Sequence, residues 1–160
     1  MTKERSVTHA TFAIERVYDA APARVFNAFA DSKAKAQWFG GPEGWTSSGL
    51  ESDFRVGGYE RESGGPPEGP TSRYEARYHD IVENQRLVFT YDMYLDDERI
   101  SVSLASVELK PDGEGTKLVY TEAGAYLDGF DIPEQREQGT RDLLDKLGEV
   151  LTLKSRHDTG

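Results

Sequence analysis

The sequence predicts an α+β domain: a curved antiparallel sheet of about seven strands whose open face receives one long amphipathic helix. Three observations point there. An alternating apolar segment near the start is followed by two short helical patterns. The middle of the chain is a succession of period-two segments parted by turn residues. The C-terminal segment carries a leucine stripe at helical spacing.

The first strand is read over Thr11–Tyr18, where Phe12, Ile14 and Tyr18 alternate and Arg16 shares their side. Pro22 suits the first position of a helix, and Val25, Phe26 and Phe29 follow at helical spacing, so 22–30 is a short amphipathic helix. Asp31 or Ser32 caps a second helical piece that runs to Trp38-Phe39 and is stopped by Gly40-Gly41-Pro42. Trp45–Phe54 and Val56–Glu62 are expected to form a hairpin, with Gly57-Gly58 marking a bulge or a tight backbone contact. Ser63–Thr71 holds three Gly and three Pro and reads as a loop.

Ser72–Val82 puts Tyr74, Ala76 and Tyr78 on one face, and Arg86–Tyr94 does the same for Leu87, Phe89, Tyr91 and Met93, with Glu83-Asn84-Gln85 as the turn between. In Arg99–Lys110 the residues Ile100, Val102 and Leu104 are in phase, but Val107 and Leu109 fall on the other phase. A bulge is therefore expected near Ala105-Ser106. Pro111–Gly115 is a hairpin turn, and Thr116–Ala123 carries Leu118, Tyr120 and Glu122 on one face. The last helix, 133–153, opens with Pro133 and Glu134 and presents Leu143, Leu144, Leu147, Val150 and Leu151 as a stripe. It would be about 31 Å long, and seven strands span roughly 29 Å, so one helix can cover the sheet. One domain is expected over 8–154, with 1–7 and 155–160 as flexible ends.

Composition removes several functions. The 160 residues hold 19 Lys and Arg against 29 Asp and Glu, a net charge of −10. Duplex nucleic acid is bound largely through phosphate neutralisation, which this balance opposes, and no run of Lys or Arg supplies a patch. The same charge is repelled by anionic membrane surfaces. No apolar stretch approaches the ~18 residues that span a bilayer, and Met1–Arg5 leads into no signal-peptide core. The chain has no Cys, which excludes disulfides, thiolate metal sites and a cysteine nucleophile. His9, His79 and His157 are scattered, with no pair at a metal-ligand spacing. Gly40-Gly41, Gly57-Gly58 and Gly64-Gly65 lack the spacing of a phosphate cradle, and no Ser sits in a nucleophile elbow. The expectation is a cytoplasmic protein without metal, cofactor, nucleic acid or membrane insertion. A homodimer is compatible with it.

Several short motifs occur in a specific order. Glu15–Pro22 followed by Val25-Phe26, then Trp38–Pro42, then Arg55–Gly58, resembles the opening of the START-like, or polyketide cyclase/dehydrase-like (SRPBCC), superfamily. Gly113–Leu118, Thr121–Gly124, Gly139 and the stripe from Leu143 to Leu151 continue the resemblance, which covers about residues 10 to 152. The branch is the one named after homologues of the activator of the heat-shock protein 90 ATPase. The resemblance implies a helix-grip (Bet v-like) fold, in which the sheet clasps the last helix around an elongated cavity. One departure stands out: many members carry Gly-Trp at the start of the last helix, whereas here Gly139 is followed by Thr140.

The rings are many for one sheet-and-helix core, with 8 Tyr, 7 Phe and 2 Trp. Tyr is the informative type, because a buried phenol needs a partner and rings with polar tips suit small-molecule sites. Trp38, Trp45, Tyr59, Tyr74, Tyr78, Phe89, Tyr91 and Tyr120 are candidate ligand contacts, with Leu147 from the helix. Tyr126 and Phe130 are expected to form a hinged cover within 124–133. Glu122 points inward by alternation, as Arg16 does, and an ion pair between them is the favoured reading over a catalytic acid or base formed by Glu122 with Tyr120. Asp128 and Asp131 are expected to be solvated. Three functions follow: binding of a small hydrophobic, aromatic or lipid-like molecule in the cavity; a cyclase, dehydrase or hydrolase reaction in the same cavity; or a stress-related, co-chaperone-like interaction module.

Overall fold

The computed structural model describes residues 4–159, and side chains through Thr152. Strand β1 spans Val7–Tyr18 and buries Phe12, Ile14 and Tyr18 on alternate positions. Helix α1, Pro22–Ala30, starts on Pro22 and buries Val25, Phe26, Ala28 and Phe29. The single turn α2, Ser32–Lys35, is capped by Asp31, whose side chain accepts from the Lys33 amide at 3.2 Å. Seven strands follow: β2 (Thr46–Ser47), β3 (Glu51–Ser52), β4 (Tyr59–Gly65), β5 (Ser72–Val82), β6 (Arg86–Leu95), β7 (Glu98–Asp112) and β8 (Gly115–Leu127). Helix α3 is Pro133–Thr159.

The strands form one antiparallel sheet in the order β1-β8-β7-β6-β5-β4-β2, with β3 also on β4. The path is a meander closed by β1, which returns to lie beside β8 in register Ile14 with Tyr120. The inner face packs on α1 and on the α3 stripe, in which Leu144, Leu147 and Leu151 are buried. The Tyr18 hydroxyl donates to the Leu144 carbonyl at 2.7 Å and fixes the helix to the first strand. Arg24 of α1 donates to the Leu151 carbonyl. The expected α+β architecture is present.

Three local readings are corrected. The expected hairpin before residue 62 is only two short strands along β4, and Trp45 sits in a turn with its amide on the Pro42 carbonyl at 3.2 Å. The loop after it is shorter than read, because β4 continues through Gly65. A Cβ on Gly64 or Gly65 would meet a carbonyl oxygen of the neighbouring segment at 2.2 or 2.3 Å, so glycine here permits close pairing rather than a turn. In β7 the change of phase lies at Ile100-Ser101, opposite the irregularity at Met93/Tyr94, not at Ala105-Ser106. Ser101, Ser103, Ala105, Val107 and Leu109 therefore face in, and Val102 and Leu104 face out. The tight contact read at Gly57-Gly58 is present, with Gly57 donating to Tyr78 and a Cβ on Gly58 falling 2.0 Å from the Asp53 carbonyl.

Candidate functional site

Between the inner face of the sheet and α3 lies a cavity of about 590 Å³ that opens beside the segment 39–46. The sheet contributes Tyr74, Phe89, Tyr91 and Tyr120; the α1–α2 region contributes Phe29 and Trp38; and α3 contributes Arg136, Gly139, Thr140 and Leu143. Alternation places the sheet residues there, because each lies on the buried phase of its strand. The rings interlock, Phe29 to Trp38 and Phe39 to Tyr74 edge to face, each at 4.9 Å, and Tyr74 to Tyr91 tilted at 5.3 Å. The Trp38 indole donates to the Ala28 carbonyl at 3.0 Å, which fixes that wall.

Two buried carboxylates lie in this interior. Glu60 of β4 is paired with Lys35 of α2, and both are almost fully shielded from solvent. Glu60 also accepts from the phenols of Tyr78 at 2.6 Å and Tyr74 at 3.2 Å, and from the Ser52 hydroxyl at 3.3 Å. Glu122 of β8 accepts on Oε1 from Tyr91 and Tyr120, each at 2.7 Å. Arg136 of α3 stands 3.8 Å from its Oε2 and donates to the Tyr91 hydroxyl at 3.1 Å, to Ser101 Oγ at 2.8 Å and to Asp131 at 2.5 Å. Burial first pushes the phenols of Tyr74, Tyr78, Tyr91 and Tyr120 well above their ordinary range; the Glu60 charge adds to it at Tyr74 and Tyr78 and the Glu122 charge at Tyr91 and Tyr120, with Arg136 opposing it at Tyr91. They are hydrogen-bond donors at neutral pH. Burial works against the Arg136 charge, but Tyr91, Asp131 and Glu122 together hold its pKa above the ordinary value.

A third carboxylate, Glu62 of β4, is half-buried on the cavity wall beside Gly40, with the Ser47 hydroxyl 3.4 Å from its Oε1. Burial is the main reason its pKa is raised, with the Glu60 charge adding to it and Ser47 and Lys35 opposing it. Among the described residues no group of three His, Cys, Asp or Glu could hold a metal ion, and no helix is long and apolar enough to cross a membrane.

Six of the ring residues singled out from the sequence line the cavity: Trp38, Trp45, Tyr74, Phe89, Tyr91 and Tyr120. Five other predicted contacts lie elsewhere. Tyr78 is behind the wall, packed on Phe54 and Phe89 and bonded to Glu60. Leu147 is fully buried in the helix–sheet core. Tyr59 is on the outer phase of β4 with Arg61 over its ring, and Phe130 is partly exposed. Tyr126 is no cover: β8 runs to Leu127 and fixes it inside, 5.4 Å below the Arg136 guanidinium, with burial pushing its phenol up to about 12.

The expected Arg16–Glu122 pair is absent. Arg16 lies opposite Leu118 and Glu122 opposite Phe12, four residues or about 13 Å apart along the strands. Arg16 instead donates to Asp145 at 2.7 Å. Asp128 and Asp131 are not simply solvated, since they pair with Arg5 and Arg136.

Sequence reasoning missed Arg136, Lys35, Glu60 and Glu62. Arg136 was detectable, because it stands one and two turns before Thr140 and Leu143 on the buried side of α3. Lys35 and Glu60 carried no such signal.

A single antiparallel sheet gripping one long helix around an aromatic-walled cavity defines a START-like, or SRPBCC, domain. Within that class the chain belongs to the family of Activator of Hsp90 ATPase homolog 1-like proteins, whose profile matches residues 19–152. A putative uncharacterized protein from Rhizobium leguminosarum is 41% identical, with 94% of this chain and 99% of that chain covered at a TM-score of 0.89. A protein from Rhizobium loti is 46% identical over 91% of this chain and 99% of that one, at a TM-score of 0.84. An AHSA1-like protein from Aeromonas hydrophila, 19% identical over 91% of this chain and 94% of that one, has the same fold at a TM-score of 0.70. No curated protein matches the chain.

Proposed function

We propose that this protein binds a small, largely apolar or aromatic molecule in the cavity between sheet and C-terminal helix. The cavity itself carries the reading: about 590 Å³ walled by rings whose phenol tips are held in place by buried carboxylates. That volume lies within the range of small-molecule sites, and apolar walls with a few fixed polar groups are their usual lining. Binding is favoured over catalysis because the two fully buried carboxylates, Glu60 and Glu122, are each set against a cation. Glu60 is paired with Lys35, and Glu122 accepts two phenol hydrogen bonds on Oε1 while the Arg136 guanidinium stands 3.8 Å from its Oε2, which no hydrogen bond engages; a carboxylate held against a cation is a weak base.

The experiment is a thermal-shift screen of aromatic polyketides, flavonoids and fatty acids, run beside native mass spectrometry of freshly purified protein. Bound ligand raises the melting temperature by mass action. The Thr140→Trp variant is the control, since Thr140 lines the cavity and the larger ring would occupy it. A ligand that shifts wild type but not Thr140→Trp supports the proposal. No shift and no co-purifying mass would end it.

A further inference from the structure

The wall of the cavity is unevenly charged, and this narrows the guest. Three cations reach it: Lys35, Arg136 and Lys146. The first two are already neutralised, Lys35 by Glu60 and Arg136 by Asp131 and Glu122, and Lys146 is exposed on α3. Facing them on the same wall are Glu43, Glu62 and Asp142. Asp142 accepts from Gln138 at 2.9 Å, and Glu43 is exposed. Glu62 differs from both: it is half-buried, and among the described residues no cation stands within salt-bridge distance of it. A carboxylate half-withdrawn from water with no cation in contact, the Lys35 charge acting on it only from beyond salt-bridge distance and already paired with Glu60, is unfavourable, and burial pushes its pKa up.

The rings around this carboxylate are those that attract cations. Glu62 is the register partner of Tyr74, whose ring meets Phe39 at 4.9 Å. The Glu62 Oε1 lies 3.2 Å from where a Cβ on Gly40 would be, next to Phe39 in the chain. Trp45, two residues before Ser47, completes the mouth, its ring packed so closely on Gly41 that a Cβ there would fall 2.4 Å away. Phe39 already carries a cation on its other contact, the Lys35 ammonium 4.5 Å from its centroid. Aromatic faces beside an unpaired carboxylate bind ammonium groups by combined cation–π and charge attraction.

We infer that the guest of this cavity is an aromatic or apolar amine, its positively charged nitrogen held by Glu62 among Phe39, Trp45 and Tyr74. The inference rests on the small-molecule reading above and specifies its chemical class. An apolar body would occupy the space between Phe89, Tyr91 and α3, with the ammonium at the mouth. Neutral guests leave Glu62 uncompensated, and carboxylate guests meet like charge.

The test uses three probes of one shape: 1-naphthylmethylamine, 1-naphthalenemethanol and 1-naphthoic acid, titrated calorimetrically into the full chain at neutral pH. The amine should bind about tenfold tighter than the alcohol, the scale of a partly desolvated cation–π contact joined to an ion pair. The acid should bind weakest. In Glu62→Gln the advantage of the amine over the alcohol should vanish, whereas Glu43→Gln should preserve it. The wild-type ranking needs no variant, so the inference stays exposed even if Glu62→Gln melts early. If the alcohol equals or exceeds the amine, or if Glu62→Gln keeps the full amine advantage, the amine assignment is overturned and the cavity reading stands. If none of the three binds and the wider screen is also silent, the cavity reading itself fails and takes the inference with it.

Discussion

Lys35→Met offers the sharpest test of the buried polar interior. The Lys35 ammonium and the Glu60 carboxylate are 3% and 0% exposed, so removing the lysine strands a carboxylate with only three hydroxyl donors. Breaking one side of a buried pair typically costs about 3–5 kcal/mol. Unfolding entropy near 2.1 cal/mol/K per residue gives roughly 0.34 kcal/mol/K for a chain of this length, so the melting temperature should fall by about 9–15 °C. Adding Glu60→Gln removes the stranded charge while an amide oxygen still accepts from Tyr78. About 2 kcal/mol of the loss should return in the double variant, a coupling of the size expected for contacting residues. Urea denaturation of wild type, both single variants and the double variant measures the cycle. A Lys35→Met protein within 1 kcal/mol of wild type, or a double variant no more stable than that single one, would refute the claim that this pair is internal and coupled.

The other expectations concern separate parts of the molecule. Arg16→Ala and Glu122→Gln should be additive in a double-mutant cycle, and Arg16→Ala alone should cost less than about 1 kcal/mol, because its partner Asp145 is mostly solvent-exposed. A coupling above about 0.5 kcal/mol would place them in contact after all. Leu147→Ala, at a fully buried position of the α3 stripe, should cost about 2–5 kcal/mol in chemical denaturation; a near-neutral change would mean that α3 is peripheral. Glu62 has a raised pKa, so the folded state holds its proton more tightly than the unfolded chain, and stability attributable to it declines as pH rises from the ordinary carboxylate range through the raised value. Glu62→Gln should remove that decline, read as a flatter dependence of melting temperature on pH between mildly acidic and neutral conditions. An unchanged slope would show that Glu62 does not contribute it.

What the sequence discloses is whatever burial alone decides. The phases of β5, β6 and β8 followed from Tyr74, Leu87, Phe89 and Leu118, and the α3 stripe from Leu144, Leu147 and Leu151, since apolar side chains at those spacings can only face the core. Glu122 was legible for the same reason, as a polar residue on an otherwise apolar phase. Its partner was not. Alternation gives the side of a strand on which Arg16 lies but not which cation the last helix brings across, and α3 brings Arg136. Lys35 and Glu60 were illegible because they are 25 residues apart, and each alone is indistinguishable from a solvated surface charge.

The misread positions share a place in the molecule. In β7 hydrophobicity favours Val102 and Leu104 for the interior, yet Ser101 and Ser103 occupy it, and the Ser101 hydroxyl accepts from Arg136 there at 2.8 Å. In β4 the ring of Tyr59 is left outside so that Glu60 can anchor the phenols of Tyr74 and Tyr78. In α2 a lysine takes a core position to meet that carboxylate. A fold selected for stability alone would fill these positions with apolar side chains, because buried ion pairs add little to stability over well-packed hydrophobic residues. Departures from consistent local rules gather where function demands them. Here they lie around one cavity on three elements, and two of them, Ser101 and Glu60, bond a guanidinium and a phenol of its wall, Arg136 and Tyr74. That coincidence favours a site whose polar groups are held ready for a guest over a cavity left by imperfect packing.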